Sequence, residues 1–204
     1  MTYSSDVAFT ETVKEVQSQR GSRNTYARME HSRGGFETTI TEGLAAFIAR
    51  RNSAYLATAN AAGQPYVQHR GGPPGFIRVL GPQTLGFADF IGNKQYITTG
   101  NLLENDRAFL FLMDYVHRQR MKIWGRARVV RGDQQLLARL CDATYEARVE
   151  QAIVFDISAW DANCPQHIPQ LVSAEDAAAI IERLRARIEV LEAQLRTIGK
   201  DVDP

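Results

Sequence analysis

The sequence predicts a mainly β fold with flanking helices: a closed or nearly closed antiparallel β-barrel of six short strands, followed by a C-terminal amphipathic helix. Three features predict it. Apolar and polar residues alternate in short runs between residues 53 and 159. Breaks containing Gly, Pro or Asn separate many of those runs. Several of these connections are of hairpin length and cannot make the crossovers of a parallel, doubly wound sheet.

Residues 1–40 read as an N-terminal arm. The segment is polar to about residue 35, Gly21-Ser22-Arg23-Asn24 marks a break, and Val7, Phe9, Val13 and Val16 supply one face of a short helix. The barrel domain spans 41–170. It opens with a helix over 41–52, capped by Thr41, with Leu44, Phe47 and Ile48 at helical spacing. Strands follow at Ser53–Ala59 and Tyr66–Arg70, joined by the turn Asn60-Ala61-Ala62-Gly63-Gln64. Gly71-Gly72-Pro73-Pro74-Gly75 cannot continue a ladder, because proline lacks the donor and glycine invites unusual dihedrals. Phe76–Leu80 and Thr84–Ala88 are strands joined at Gly81-Pro82, and 94–104 is helical. Ala108–Tyr115 and Arg120–Val130 are strands, Gln134–Ala147 is helical, and Ala152–Ala159 is the last strand of the barrel.

Residues 171–204 form a separate helical tail. Ser173-Ala174-Glu175-Asp176 resembles a capping box with Asp in place of Glu. Ile181, Leu184, Ile188, Leu191, Leu195 and Ile198 then alternate spacings of three and four, which is an a/d seam. So short a seam packs on its own subunit, pairs across a dimer, or is a plain amphipathic surface helix; the pattern leaves all three open.

A chain of 204 residues with 44% hydrophobic content can build one ordinary core with short additions. Lys and Arg number 24 and Asp and Glu 23, a net charge of +1, which argues against sequence-independent nucleic-acid binding. Cys141 and Cys164 have neither disulfide-framework nor zinc-site spacing, and reduced thiols are expected. The N-terminus has acidic Asp6 and Glu11 and no apolar h-region, and the longest strongly apolar run is about Ala108–Met113. The expectation is a soluble cytoplasmic protein with no membrane partner.

Three segments are too polar or too irregular for their strand context. In Gln68-His69-Arg70-Gly71-Gly72 a strand ends in three hydrogen-bonding side chains followed by glycines, which allow a flat ligand close to the backbone. Arg70 offers a planar fork for phosphate or a carbonyl-rich ring, while alternation places Gln68 or His69 toward solvent. In Asp89-Phe90-Ile91-Gly92-Asn93-Lys94-Gln95, leading into Tyr96-Ile97-Thr98-Thr99-Gly100-Asn101, a strand runs into a polar loop and then a helix N-terminus, where Lys94, Thr98 and Thr99 add a charge and two hydroxyls to serve a phosphate. The plain alternative is an ordinary capped helix. In the third segment Arg118, Arg120 and Lys122 share one strand face, Gln119, Met121 and Ile123 take the other, and Trp124 precedes Gly125. That cationic face meets solvent or an anion. His31, His69, His117 and His167 are scattered, so no metal site is expected, and Cys164 with His167 reads as structural.

The stretches Tyr66–Phe76, Phe87–Tyr96 and Arg120–Ala127, with Asp161–Ile168 after them, resemble the pyridoxamine 5′-phosphate oxidase-like family of FMN-binding split barrels. The similarity runs over roughly residues 40–170. It implies a homodimer with two FMN sites between subunits. Carried over, Gln68, His69, Arg70 and Gly71 line the ring and ribityl chain. Asn93, Lys94, Gln95, Thr98 and Thr99 serve the phosphate, and Arg120, Lys122 and Trp124 approach the same or the partner site. The absence of a GxGxxG pattern favours FMN over FAD. The oxidase itself has an arginine-containing C-terminal stretch that holds the vitamin phosphate. Here Cys164-Pro165-Gln166-His167 and the tail helix stand instead. The resemblance therefore implies an FMN-binding oxidoreductase acting on some other small substrate. The alternatives are a flavin-storing protein without turnover and a haem- or tetrapyrrole-binding barrel.

Overall fold

The computed structural model describes residues 3–163, 165–197 and 199. They divide into two units: residues 3–114 with 119–163 and 165, and residues 115–118 with 166–197 and 199.

The first unit carries one seven-stranded antiparallel sheet: β1 (Ser53–Ala59), β2 (Pro65–Gly71), β3 (Arg78–Gly81), β4 (Thr84–Phe90), β5 (Arg107–Asp114), β6 (Gln119–Val130) and β7 (Val149–Asn163). Their order is β2-β1-β5-β6-β7-β4-β3, and the end strands β2 and β3 do not pair with each other. The sheet therefore has seven strands where six were expected, and it is unclosed. Each of the seven overlaps one of the runs read as strands, so the barrel count of six is one short of its own segments. The short β3 starts at Arg78 rather than Phe76, and its pairing with β4 shifts register between Val79 and Gly81.

Alternation explains how the sheet makes a core. In β1 and β5 every second residue is buried, so one face of each strand is dry and the other half-exposed. β4 is buried on both faces along most of its length. Helix α3 (Glu42–Ala49) drives Leu44, Phe47 and Ile48 into the cluster formed by Leu56, Phe87, Leu110, Leu112, Ile123 and Phe155. Thr41 caps it, its hydroxyl accepting from the Leu44 amide at 3.2 Å.

The arm holds two helices rather than one. A 3₁₀ turn (Ser4–Val7) precedes α1 (Glu11–Gln19) and α2 (Arg23–Arg33), which are separated by the left-handed Gly21. Within the arm the Ser5 hydroxyl donates to the buried Glu30, and the arm docks on β6 through Phe36, stacked on Trp124 with ring centres 5.3 Å apart.

Three helices are shorter than expected. α3 stops at Ala49, and α4 (Ile97–Glu104) starts three residues late because Lys94 and Tyr96 take left-handed backbones. α5 (Gln134–Leu140) ends where Cys141 becomes extended. It packs Leu140 against Ala88 and Ala152. Arg118 also departs from expectation: it sits in the β5–β6 turn with φ +51°, off the strand that carries Arg120 and Lys122.

The second unit consists of that turn and α6 (Ala174–Thr197). The Leu171 amide donates to the Tyr115 carbonyl at 3.3 Å. Ser173 caps the helix, its hydroxyl accepting from the Asp176 amide at 2.9 Å; the Asp176 carboxylate accepts from that hydroxyl at 2.7 Å rather than from the Ser173 amide of a full capping box. No residue of α6 is buried. Ile198 and Cys164, both singled out in the sequence, lie outside the described residues. Among the described residues no helix is long and apolar enough to cross a membrane, and none group as metal ligands.

Candidate functional site

β2 sets up the site. Tyr66, Gln68 and Arg70 are half-buried on one face, and Val67 and His69 are exposed on the other. The inward set meets β4 and the first turn of α4. Arg70 reaches across the gap between the sheet's two ends and pairs with Asp89 of β4. Thr98 donates from Oγ1 to Gln68 Oε1 at 2.6 Å.

Behind this pair lies Gln151 of β7, which is 1% exposed. Its Nε2 donates to Asp89 Oδ2 at 2.9 Å and to Thr99 Oγ1 at 3.1 Å. Its Oε1 accepts from Arg131 Nε at 3.0 Å. One buried amide thus positions the carboxylate that positions Arg70. The Nη1 atom of Arg70 is satisfied by Asp89, but its Nε is buried and has no hydrogen-bond partner. A buried guanidinium donor left without an acceptor is costly, so this atom marks a place that an acceptor fits.

The loop from Gly92 to Tyr96 closes the site from above. Asn93 Oδ1 accepts from the Gln95 amide at 3.2 Å, a side-chain turn that holds the left-handed Lys94 between them. Tyr96 is also left-handed and donates its hydroxyl to Glu150 at 2.8 Å; that carboxylate holds the phenol above its ordinary pKa. Two non-glycine residues in this region store strain, a mark of functional loops. No side chain caps α4, so its first amides stand free at the positive end of the helix dipole.

These parts line a cleft of about 50 Å³. Gln68, Arg70, Asn93, Lys94, Gln95, Thr98 and Thr99, all singled out in the sequence, come together there. Thr98 and Thr99 are buried, while Asn93, Lys94 and Gln95 are exposed at the rim. Gln68 and Arg70 also line an adjoining cavity of about 230 Å³, together with His69 and Gly71. His69 Nε2 lies 3.0 Å from the Ser53 hydroxyl, and its ring stands edge-on to Tyr55.

Arg120, Lys122 and Trp124 do not line either space. They lie on the outward face of β6, opposite Met113, Phe111 and Phe109 of β5. Lys122 pairs with Asp161 at 2.7 Å and lies 5.4 Å from the centre of the Trp124 ring. Arg120 Nε is a second buried donor without a partner among the described residues. Gly125 is buried, and a Cβ there would stand 2.2 Å from the Asp156 carbonyl oxygen. The glycine therefore serves close strand packing at the β6–β7 bulge rather than exposed backbone beside the ring.

Sequence reasoning includes Asp89 in a candidate segment without giving it a role, and does not single out Arg131 or Gln151. The signal was present for two of the three. Asp89 interrupts the apolar run Leu85–Phe90, and Gln151 precedes the apolar run Ala152–Phe155. A buried polar residue in such a run needs a partner.

An open antiparallel sheet whose ends are joined by an arginine–aspartate pair, beside an uncapped helix start, defines a split-barrel protein. The family profile described as pyridoxamine 5′-phosphate oxidase matches residues 40–171, and the chain belongs to that family. The arm and α6 fall outside the match. No curated protein sequence matches the chain. Among solved structures, an FMN-binding protein from Syntrophomonas wolfei is similar at 15% identity and TM-score 0.50, covering 74% of this chain and 97% of that one. HupZ of Group A Streptococcus matches at 15% identity and TM-score 0.46, covering 65% of this chain and 99% of its own. A protein described as an F420 reductase matches at 17% identity and TM-score 0.43, covering 59% and 98%.

Proposed function

We propose that the chain binds FMN, with the phosphate in the Arg70 cleft, and works as a cytoplasmic homodimeric oxidoreductase on a small substrate. The observation that carries the reading is the buried, unpartnered Nε of Arg70 beside the uncapped start of α4. Family membership supports it, as does the similarity to an FMN-binding protein.

The residues present fit the group by their donors and by size; Asp89 and Glu150 also line the cleft, the first paired with Arg70 and the second accepting from the Tyr96 hydroxyl. Arg70 and Lys94 supply cations, the amides at Ile97–Thr99 supply donors, and the Asn93 and Gln95 side chains supply further polar contacts. A space of about 50 Å³ takes a phosphate-sized group but not a tricyclic ring, since whole-ligand pockets run to roughly 300 Å³ or more. The ring then extends toward the neighbouring cavity at His69 and Gly71. Bound FMN supplies electron transfer; the chain's part is to hold, orient and shield it.

The outward face of β2-β1-β5-β6 supports the homodimer. Val67, Tyr55, Phe109, Phe111 and Trp124 lie there on adjacent strands, and Val67 is 58% exposed. Such a half-exposed aromatic sheet face is suited to a second copy, which would also complete the wall around a flavin ring. The second reading, flavin binding without turnover, is favoured by His69. The residue best placed by type to move a proton lies on the exposed face of β2, beside Ser53.

The test is to release the cofactor from purified protein with acid and chromatograph it. FMN near one per chain supports the reading. FAD as the main species, a Soret band in the intact protein, or no affinity for added FMN contradicts it. Reduction of the bound flavin by a nicotinamide donor separates an oxidoreductase from a storage protein.

A further inference from the structure

Helix α6 presents an exposed apolar stripe. Leu184 is 54% exposed and Ile188 53%, with Ile181 and Leu191 on the same seam. Such a stripe on a charged helix seeks a partner.

The residue types on the seam say which partner. Over the two central heptads, with Ile181 and Ile188 at a and Leu184 and Leu191 at d, β-branched residues alternate with leucine in the pattern that favours parallel two-stranded coiled coils; Leu195, at the next a, departs from it. The flanks agree. In an in-register parallel pair a g residue meets the e residue five positions on in the other strand. Arg187 is at g and Glu192 at e, so two copies bring Arg187 of each helix to Glu192 of the other. The other g residue of the central turns, Ile180, meets the aliphatic stem of Arg185, an apolar fit rather than a repulsion. No like-charged g–e contact arises within these turns.

We infer that α6 pairs in parallel and in register with α6 of a second copy of this chain, forming a contact between copies separate from the sheet face. A helix of 24 residues is short for a free-standing coiled coil. A dimer held elsewhere would raise the effective concentration of one helix for the other. The pairing also stands without flavin, since no seam or flank residue belongs to the cleft.

Disulfide trapping in the full-length chain tests it. Cys141→Ser and Cys164→Ser give a background without native thiols, and Leu191→Cys then places one thiol on the seam. Parallel in-register pairing sets position 191 opposite its own copy, so mild oxidation should give an interchain disulfide readily. Glu189→Cys, on the outer face, serves as the comparison and should link at least about tenfold more slowly. Adding Arg187→Glu or Glu192→Arg should slow linking about fivefold, and the two together should restore it. Linking of Leu191→Cys no faster than Glu189→Cys overturns the inference, as does a rate unmoved by the charge reversals. Because the readout is a cross-link, absence of FMN from the protein leaves the result unaffected.

Discussion

Arg70 on β2 and Asp89 on β4 are ion-paired across the gap between the two ends of the sheet. No strand-to-strand ladder joins those ends, so the pair ties the open barrel together and aims a guanidinium at the cleft. Both side chains are largely buried, and removing one leaves the other charged and uncompensated. Arg70→Ala should therefore destabilise the fold by about 3 kcal/mol, read from the denaturant midpoint. Arg70→Leu combined with Asp89→Leu should recover most of that loss. A single variant as stable as the wild type would mean the pair does not hold the seam.

Gln151 is expected to act through Asp89 rather than on a ligand. Gln151→Leu keeps the approximate volume but leaves Asp89 Oδ2 and the Arg131 guanidinium without their amide partner. The expected cost is about 1–3 kcal/mol in stability. FMN affinity should fall with it, because Arg70 is no longer held in place. Gln151→Glu should not rescue, since it sets a second carboxylate against Asp89. Titration and unfolding of the same variants check both parts.

Gly125 tests the packing of the two longest strands. An added methyl group would fall within 2.5 Å of the Phe155 ring and closer still to the Asp156 carbonyl. That neighbour is backbone and cannot swing away. Gly125→Ala should cost about 3 kcal/mol or more and lower the yield of folded protein. Normal thermal stability in this variant would contradict the strand spacing at the bulge.

The arm should loosen in acid. Lys14 hydrogen-bonds the Asp6 carboxylate and holds its pKa below the ordinary 3.8. A depressed carboxylate contributes stability that is present above 3.8 and is lost as pH falls through the lower folded-state value. Amide exchange in α1 and the preceding turn should accelerate below about pH 4. Lys14→Met should remove most of that pH dependence. Exchange that is flat across the range, or unchanged in Lys14→Met, would show that this pair does not hold α1 to the turn before it.

The legible part of this protein was the part governed by period. Strand alternation in β1, β5 and β6 survives into the structure, and Thr41 and Ser173 cap as their types predict. Seven of the twelve residues expected to bind a cofactor line one cleft, because β2's alternation and the loop before α4 are both local. What was not legible depends on distance in sequence. Asp89 gains its meaning from Arg70 and Gln151, and the latter lies 62 residues away along the chain. Alternation alone could not say whether Gln68 or His69 turns inward, since that depends on which face of β2 meets β4 and α4. The late start of α4 escaped for a different reason. Left-handed backbone at Lys94 and Tyr96 is rare for such residues, and nothing in their types announces it.

The central claim is that the Arg70 cleft receives the phosphate of FMN, and Lys94 offers the most direct test. Lys94 is exposed at the rim and takes no part in the buried network, so Lys94→Ala should leave the fold intact. FMN and riboflavin differ only by the phosphate. Titrating both into wild type and Lys94→Ala, the account predicts that FMN binding weakens about ten- to a hundredfold while riboflavin binding stays nearly unchanged. Equal FMN affinity in the two proteins, or equal losses for both ligands, would contradict it.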